Sequence, residues 1–148
     1  MHVERTATFR LPIPPERALP LFTPEGERDW VDGWDPIPLH APGGSMSRAG
    51  AVFRTAAGGE ETLWLVLGVD AAAGASDYVR VTPGNRLGSV HVRCRAAAGG
   101  GTEVEVTYRL TALGPEGEAV LAGLGEAEYA GMIDGWRQEI ERHLARAG

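Results

Sequence analysis

The 148-residue chain is 43% apolar and 23% charged, proportions of an ordinary globular domain that argue against extended disorder. Its formal net charge is −6 and all 14 basic residues are arginine, so a basic nucleic-acid face is not expected, and Schiff-base and P-loop lysine chemistry are excluded. Cys94 is the only cysteine, which rules out an intramolecular disulfide and fits a reducing cytoplasm. The N-terminus has no basic-then-apolar leader, and no apolar run nears the ~20 residues of a membrane span, so a cytoplasmic protein without a span is expected.

Residues 3–11 alternate as a strand, with Val3, Arg5, Ala7, Phe9 and Leu11 on one side. Pro12, Pro14 and Pro15 end it and lead into a short helix at 15–19, which Pro20 must kink or shorten. Thr23 as N-cap, Pro24 at the first helical position and the acids Glu25 and Glu27 then start a second helix of a turn or two. Residues 37–41 read as a Pro-flanked edge strand. Strands follow at 51–56, 62–70, 77–82, 87–97 and 102–112, with turn residues at Pro83-Gly84-Asn85 and Gly99-Gly100-Gly101. No crossover helix interrupts them, which favours an antiparallel meander.

The periodicity then predicts one helix over 116–146. From Tyr129 the apolar positions Met132, Ile133, Trp136, Ile140 and Leu144 are spaced 3, 1, 3, 4 and 4, a single buried stripe. A helix near 30 residues spans ~45 Å and can cover the whole sheet. Gly131 and Gly135 share one face beside this stripe, where they would leave room for a ligand or a close backbone approach, or simply reflect a glycine-rich composition.

This order of elements, with Leu21-Phe22-Thr23-Pro24-Glu25-Gly26-Glu27-Arg28, Gly33-Trp34-Asp35-Pro36, Gly50, Phe53, Thr55, Thr62, Trp64, Tyr78-Val79-Arg80-Val81 and Pro83-Gly84, resembles the helix-grip superfamily along essentially the full chain. That superfamily, also called START-like or SRPBCC, includes birch-pollen-allergen relatives, lipid-transfer domains and polyketide cyclases; the likeness here is to an uncharacterised bacterial subgroup. The resemblance implies an α+β fold: one START-like domain over 1–148, with a curved antiparallel sheet of six to seven strands, two short helices after the first strand and a long C-terminal helix. It also implies a hydrophobic cavity between sheet and helix for a small organic ligand. A reaction does not follow from fold alone.

Alternation proposes the cavity walls. Val104, Val106, Tyr108 and Leu110 share a face, as do Val90, Val92 and Cys94, which leaves His91, Arg93 and Arg95 outward; Phe53 and Thr55 also turn inward. Residues 62–70 are apolar on both faces, and the resemblance places Trp64 and Val66 inside. Residues 77–82 can present either Tyr78 and Arg80 or Val79 and Val81. The first arrangement gives the cavity a polar pole; the second makes it nearly all hydrocarbon. The candidate ligand-binding residues are therefore Trp30, Trp34, Phe53, Trp64, Tyr78, Arg80, Val92, Tyr108, Met132 and Trp136. Each tryptophan has a plain alternative as core, and Arg80 as a surface residue.

No catalytic residue is assigned. His40 has no evident Asp, Ser or Cys partner, and His143 suits a helix C-terminus. Four dispersed histidines do not make a metal site, and no dinucleotide fingerprint is present, so no cofactor is expected. Three readings remain. The first is a binding protein for a hydrophobic, aromatic or lipid-like ligand. The second is a polyketide cyclase- or dehydratase-like enzyme using polar groups such as Tyr78, Arg80, Tyr108 or His40. The third is an interaction module like the Hsp90-activator branch, with outward Leu63, Leu65 and Leu67 as its patch; the same patch suits a homodimer. A uniformly apolar lining would favour a carrier, convergent polar groups an enzyme, and a monomer without a sizeable cavity an interaction module.

Overall fold

The computed structural model describes residues 1–147. Seven strands form one antiparallel sheet in the order β1-β7-β6-β5-β4-β3-β2, with the segments β1 His2–Leu11, β2 Ile37–His40, β3 Val52–Thr55, β4 Thr62–Asp70, β5 Ala75–Thr82, β6 Arg86–Ala96 and β7 Thr102–Ala112. Only β1 departs from the meander, by pairing with β7 at the far edge, so both sheet edges are made by strands flanking the short helical segment. The pairings slip by one residue between Val66 and Gly68 and between Pro38 and His40. Bulges of this kind bend and twist a strand.

The segment between β1 and β2 is helical and short-winded, as its prolines require. Helix α1 covers only Pro15–Ala18, with Pro15 in the first turn. Pro20 allows no more than a 3₁₀ turn over Leu19–Phe22. Thr23 Oγ1 accepts from Gly26 N–H at 3.0 Å, but the expected second helix is only a 3₁₀ turn over Gly26–Asp29, which has Glu25 at its N-cap and not Thr23.

Side chains on the concave face line up in rows across the sheet. One row runs Phe53, Trp64, Arg80, Gly88, Leu110, Val3, and the next runs Val66, Tyr78, Val90, Tyr108, Arg5. Tyr78 is 5% exposed and Arg80 8%, whereas Val79 and Val81 are half-buried on the outer face. The open choice on β5 is thus resolved in favour of the polar edge. The outward apolar strip is also real: Leu65, Leu67 and Leu87 are exposed, and Leu63 is half-buried.

The expected single C-terminal helix is two. Helix α2 spans Pro115–Ala122 and α3 spans Glu126–Ala147, broken at Gly123-Leu124-Gly125. Two glycines within three residues weaken the helix at this point. The inward Arg5 satisfies part of the break, its Nε donating to the Leu124 carbonyl at 3.0 Å. Helix α3 lies against β1 and the concave face, burying Tyr129, Ile133 and Ile140. Tyr129 Oη donates to the Val106 carbonyl at 2.7 Å, which pins helix to sheet.

Candidate functional site

The residues that meet between sheet and helix enclose a small aromatic cavity lined by Phe22, Glu27, Trp34, Phe53, Trp64, Tyr78, Val90, Val92, Tyr108 and Trp136. Its free volume is about 20 Å³, about the room of one water molecule. The rings themselves fill the rest of the space. Phe53 and Trp64 stack 5.7 Å apart at 4°, and Trp34 meets both edge-on at 6.0 and 5.7 Å. On the helix side, Trp136 packs on Phe22 at 6.3 Å and on Tyr108 at 6.3 Å.

Seven of the ten candidates from sequence line this space: Trp34, Phe53, Trp64, Tyr78, Val92, Tyr108 and Trp136. Trp30 does not. It is 5% exposed, donates its indole N–H to the Leu21 carbonyl at 2.8 Å and packs against Phe22 and Trp136 as core behind the wall. Arg80 stands one layer out, beside Trp64. Met132 is a correction. It is among the exposed apolar residues, because only a narrow face of α3 meets the sheet and Met132 lies on its flank. Gly131 is likewise exposed, with open space where a side chain would go, so it does not make room inside a packed cavity.

The polar groups of the cavity differ sharply in how well they are held. The Tyr78 hydroxyl donates to the Phe22 carbonyl at 2.5 Å and accepts from Ser76 Oγ at 2.6 Å; burial foremost raises its pKa, so it stays protonated. Trp34 Nε1 donates to the Pro24 carbonyl at 2.8 Å and Trp64 Nε1 to Thr55 Oγ1 at 3.0 Å. Burial also raises the Tyr108 pKa, and this hydroxyl has no hydrogen-bond partner among the described residues.

Glu27 is the group that sequence reasoning missed. Its neighbour Glu25 points away from the cavity and is fully engaged, accepting from Met46 N–H at 2.8 Å and from the hydroxyls of Ser45 and Ser47. Those bonds outweigh burial and hold Glu25 below the usual carboxylate range. The Glu27 carboxyl has neither a hydrogen bond nor an ion pair among the described residues. Burial alone pushes its carboxyl up to about 8. In the sequence both look like first-turn helix acids; only the turn of the 3₁₀ segment sends one outward to the loop and one into the aromatic rings. Phe22 was also missed, whereas Val90 shares the alternation that marked Val92.

Arg80 is held from one side. Its guanidinium donates to Thr82 Oγ1 at 2.5 Å and Thr62 Oγ1 at 3.3 Å, sits 3.8 Å from Glu60 and lies over the Trp64 ring at 5.5 Å. Its Nε is buried with no partner. Desolvation first, then the nearby Arg86, lowers its pKa.

The remaining titratable groups lie elsewhere. His91 is on the outer face, its Nδ1 2.6 Å from Asp77 Oδ1 and its Nε2 3.0 Å from Ser89 Oγ, with Arg93 also donating to Asp77 at 2.8 Å. His40 is exposed on the edge strand β2. Cys94 is buried on the inner face, its thiol pushed up to about 11 by desolvation, which suits a small apolar side chain and not a nucleophile. Among the described residues, no three His, Cys, Asp or Glu side chains converge as metal ligands, and no helix is long and apolar enough to cross a membrane.

The arrangement of sheet, short helices and long helix matches solved structures over nearly full length. Ara h 8.0201 superposes with a TM-score of 0.70 at 15% identity, covering 98% of this chain and 99% of that one. The chain has the helix-grip, birch-pollen-allergen-like fold. Major latex-like protein 151 from Panax ginseng shares it with a TM-score of 0.70 at 11% identity, covering 97% of each chain. Norcoclaurine synthase from Thalictrum flavum does so with a TM-score of 0.66 at 10% identity, covering 95% of this chain and 87% of that one. No protein-family model and no curated protein matches the sequence.

Proposed function

We propose that this chain binds a small aromatic or otherwise hydrophobic organic molecule between the sheet and α3, with Glu27 as its polar anchor. The observation that carries this reading is the unpartnered Glu27 carboxyl set among the rings of Phe22, Trp34, Phe53, Trp64, Tyr108 and Trp136. Glu27 is half-buried and its oxygens keep some contact with solvent, so leaving them unpartnered costs toward the low end of the roughly 1–3 kcal/mol seen in mutational series for buried polar groups. A domain whose interior served packing alone would gain from an apolar residue there, whereas a bound molecule that contacts Glu27 offsets the cost. Aromatic walls supply large, rigid contact area around such a molecule.

The free volume of about 20 Å³ is far below the 300–1,000 Å³ typical of pockets for drug-sized ligands. Binding therefore requires rings to swing aside. Trp34 is the wall with the least backbone support, because it comes from the irregular stretch between Asp29 and Ile37. The test is native mass spectrometry of protein purified from its host, with thermal shift across a panel of small aromatic, lipid and polyketide compounds. A retained or stabilising organic ligand supports the reading. No retained mass and no shift across the panel would sink it, and a dimer mass in the same spectra would favour the outward Leu63, Leu65 and Leu67 patch as an association surface.

A second reading, an enzyme, rests on the same residue. A carboxyl whose pKa lies near neutrality and beside the unpartnered Tyr108 hydroxyl is suited to move a proton. That the fold is shared with norcoclaurine synthase adds only precedent for an enzyme on this scaffold. Turnover of a bound compound that Glu27→Gln abolishes, with binding retained, distinguishes enzyme from carrier.

A further inference from the structure

The walls of the cavity define the ligand class more closely than hydrophobicity does. Seven aromatic rings and one carboxyl line the cavity, and no cation is among the lining residues: the hydroxyls of Tyr78 and Tyr108 are neutral, and Arg80 lies outside the lining at one end, on the Trp64 ring and in contact with Thr62, Thr82 and Glu60. The faces of Trp, Tyr and Phe attract positive charge through their quadrupoles, most strongly where water is excluded. The Glu27 carboxyl, which holds its proton near neutrality while the cavity is empty, gives it up beside a cation, and the carboxylate so formed among such faces is complementary to an organic cation. It repels an anion, and beside a neutral hydrocarbon it keeps its proton and gains no partner.

The segment that carries Glu27 has the same bias. Between positions 25 and 35 it holds Glu25, Glu27, Asp29, Asp32 and Asp35 against the single cation Arg28. Glu25 is engaged with Ser45, Met46 and Ser47, but the exposed Asp29, Asp32 and Asp35 outnumber the exposed Arg28, and this excess of negative charge next to Glu27 in the chain raises the local concentration of cations and lowers that of anions. Charge along this segment and chemistry on the wall therefore select the same sign.

We propose that the physiological ligand is an organic cation, a protonated or quaternary amine attached to an apolar or aromatic body, with its charged head on Glu27 among the rings of Trp34, Tyr108 and Trp136. This rests on the cavity reading above and narrows it.

The test uses the intact chain and two compounds of nearly the same shape, the trimethylphenylammonium ion and tert-butylbenzene, which differ in the charge of the central atom. Binding is followed by the fluorescence of the tryptophans that line the cavity and by ligand-observed NMR. The expected result is that the cation binds about 10-fold or more tightly than its neutral isostere, and that Glu27→Gln removes most of this preference. Equal or tighter binding of tert-butylbenzene to the unaltered protein would overturn the cationic assignment and leave the cavity reading standing. Binding of neither compound would overturn both. A preference that persists in Glu27→Gln would also overturn the assignment, since Glu27 would not be the group that reads the charge.

Discussion

Arg80 on β5 lies directly across from Trp64 on β4, and its guanidinium carbon sits 5.5 Å from the centre of the Trp64 ring, whose other neighbour in the row is the stacked Phe53. The contact closes one end of the aromatic cavity with a cation whose charge is balanced only by a partly exposed Glu60 at 3.8 Å. A buried ion compensated this loosely adds little to stability beyond the packing of its stem. Arg80→Met should therefore stay within about 1 kcal/mol of the parent chain, whereas Arg80→Ala, which also opens a void beneath Trp64, should lose about 1–3 kcal/mol. Urea denaturation of the two variants side by side measures the difference, and equal losses would show that the charge itself is what matters.

Glu27 sets the alkaline side of the stability profile. Its folded-state pKa is raised to about 8 from an ordinary value of 4.5, so the folded chain holds a proton that the unfolded chain has released. The stabilisation is fully present below about pH 4.5 and is lost as pH rises through 8. Glu27→Gln removes the ionisable group, so it should gain about 1–3 kcal/mol over the parent near pH 8 and show little difference at pH 4.5. Thermal unfolding of both proteins between pH 4.5 and 9 reads this directly; parallel curves across that range would count against a buried carboxyl.

The carboxylates on the outside act in the opposite direction. Burial by itself would raise the Asp77 pKa, but donation from Arg93 at 2.8 Å and the His91 contact at 2.6 Å outweigh it, and the net shift is downward. A depressed folded-state pKa gives stability that is present above the ordinary carboxylate range and lost as pH falls through the folded value. The Glu25 carboxyl, held by Ser47, Met46 and Ser45, and the Glu60 carboxyl, held first by Arg86, have the same sign. Stability should thus fall steeply below about pH 4, and Asp77→Asn should flatten part of that fall while lowering the plateau at pH 6. Melting temperatures from pH 2 to 7 provide the check.

How much of this was legible depended on whether one face of each element was plainly apolar. On β7, Val104, Val106 and Leu110 alternate with Glu103, Glu105 and Arg109, and the sequence boundaries 102–112 coincide with the observed strand. On β5 the pattern misleads, because Val79 and Val81 lie outside in an apolar strip while the polar Tyr78 and Arg80 lie inside; the partners Phe22 and Thr62 from other elements, with Ser76 and Thr82 two residues away on the same strand, make that orientation favourable. Met132 was misplaced because a spacing of 3 and 1 from Tyr129 cannot say how wide a face the sheet will cover. The helix break was hidden because glycine is common throughout this chain, so Gly123 and Gly125 carried no contrast. Glu27 had no local signal at all: its role depends on rings contributed by four strands and α3.

Gly88 on β6 is the position in the Arg80 row where the sheet has no room for a side chain. It faces Arg80 on one side and Leu110 on the other, and a Cβ built there would sit 1.8 Å from the Arg109 carbonyl oxygen and 2.8 Å from Leu110 Cδ2. The first of these atoms is backbone and cannot move aside without breaking the register of β6 with β7, the longest ladder of the sheet. Gly88→Ala should therefore cost about 1–3 kcal/mol or more, a loss out of proportion to one methyl group, and should disturb Arg80 as well. The measurement is a denaturation midpoint combined with tryptophan fluorescence: a shift in the emission of the cavity tryptophans together with the loss of stability is expected. A variant that keeps both the parent midpoint and the parent spectrum would show that β6 and β7 are not packed as closely at this point as the carbonyl of Arg109 requires.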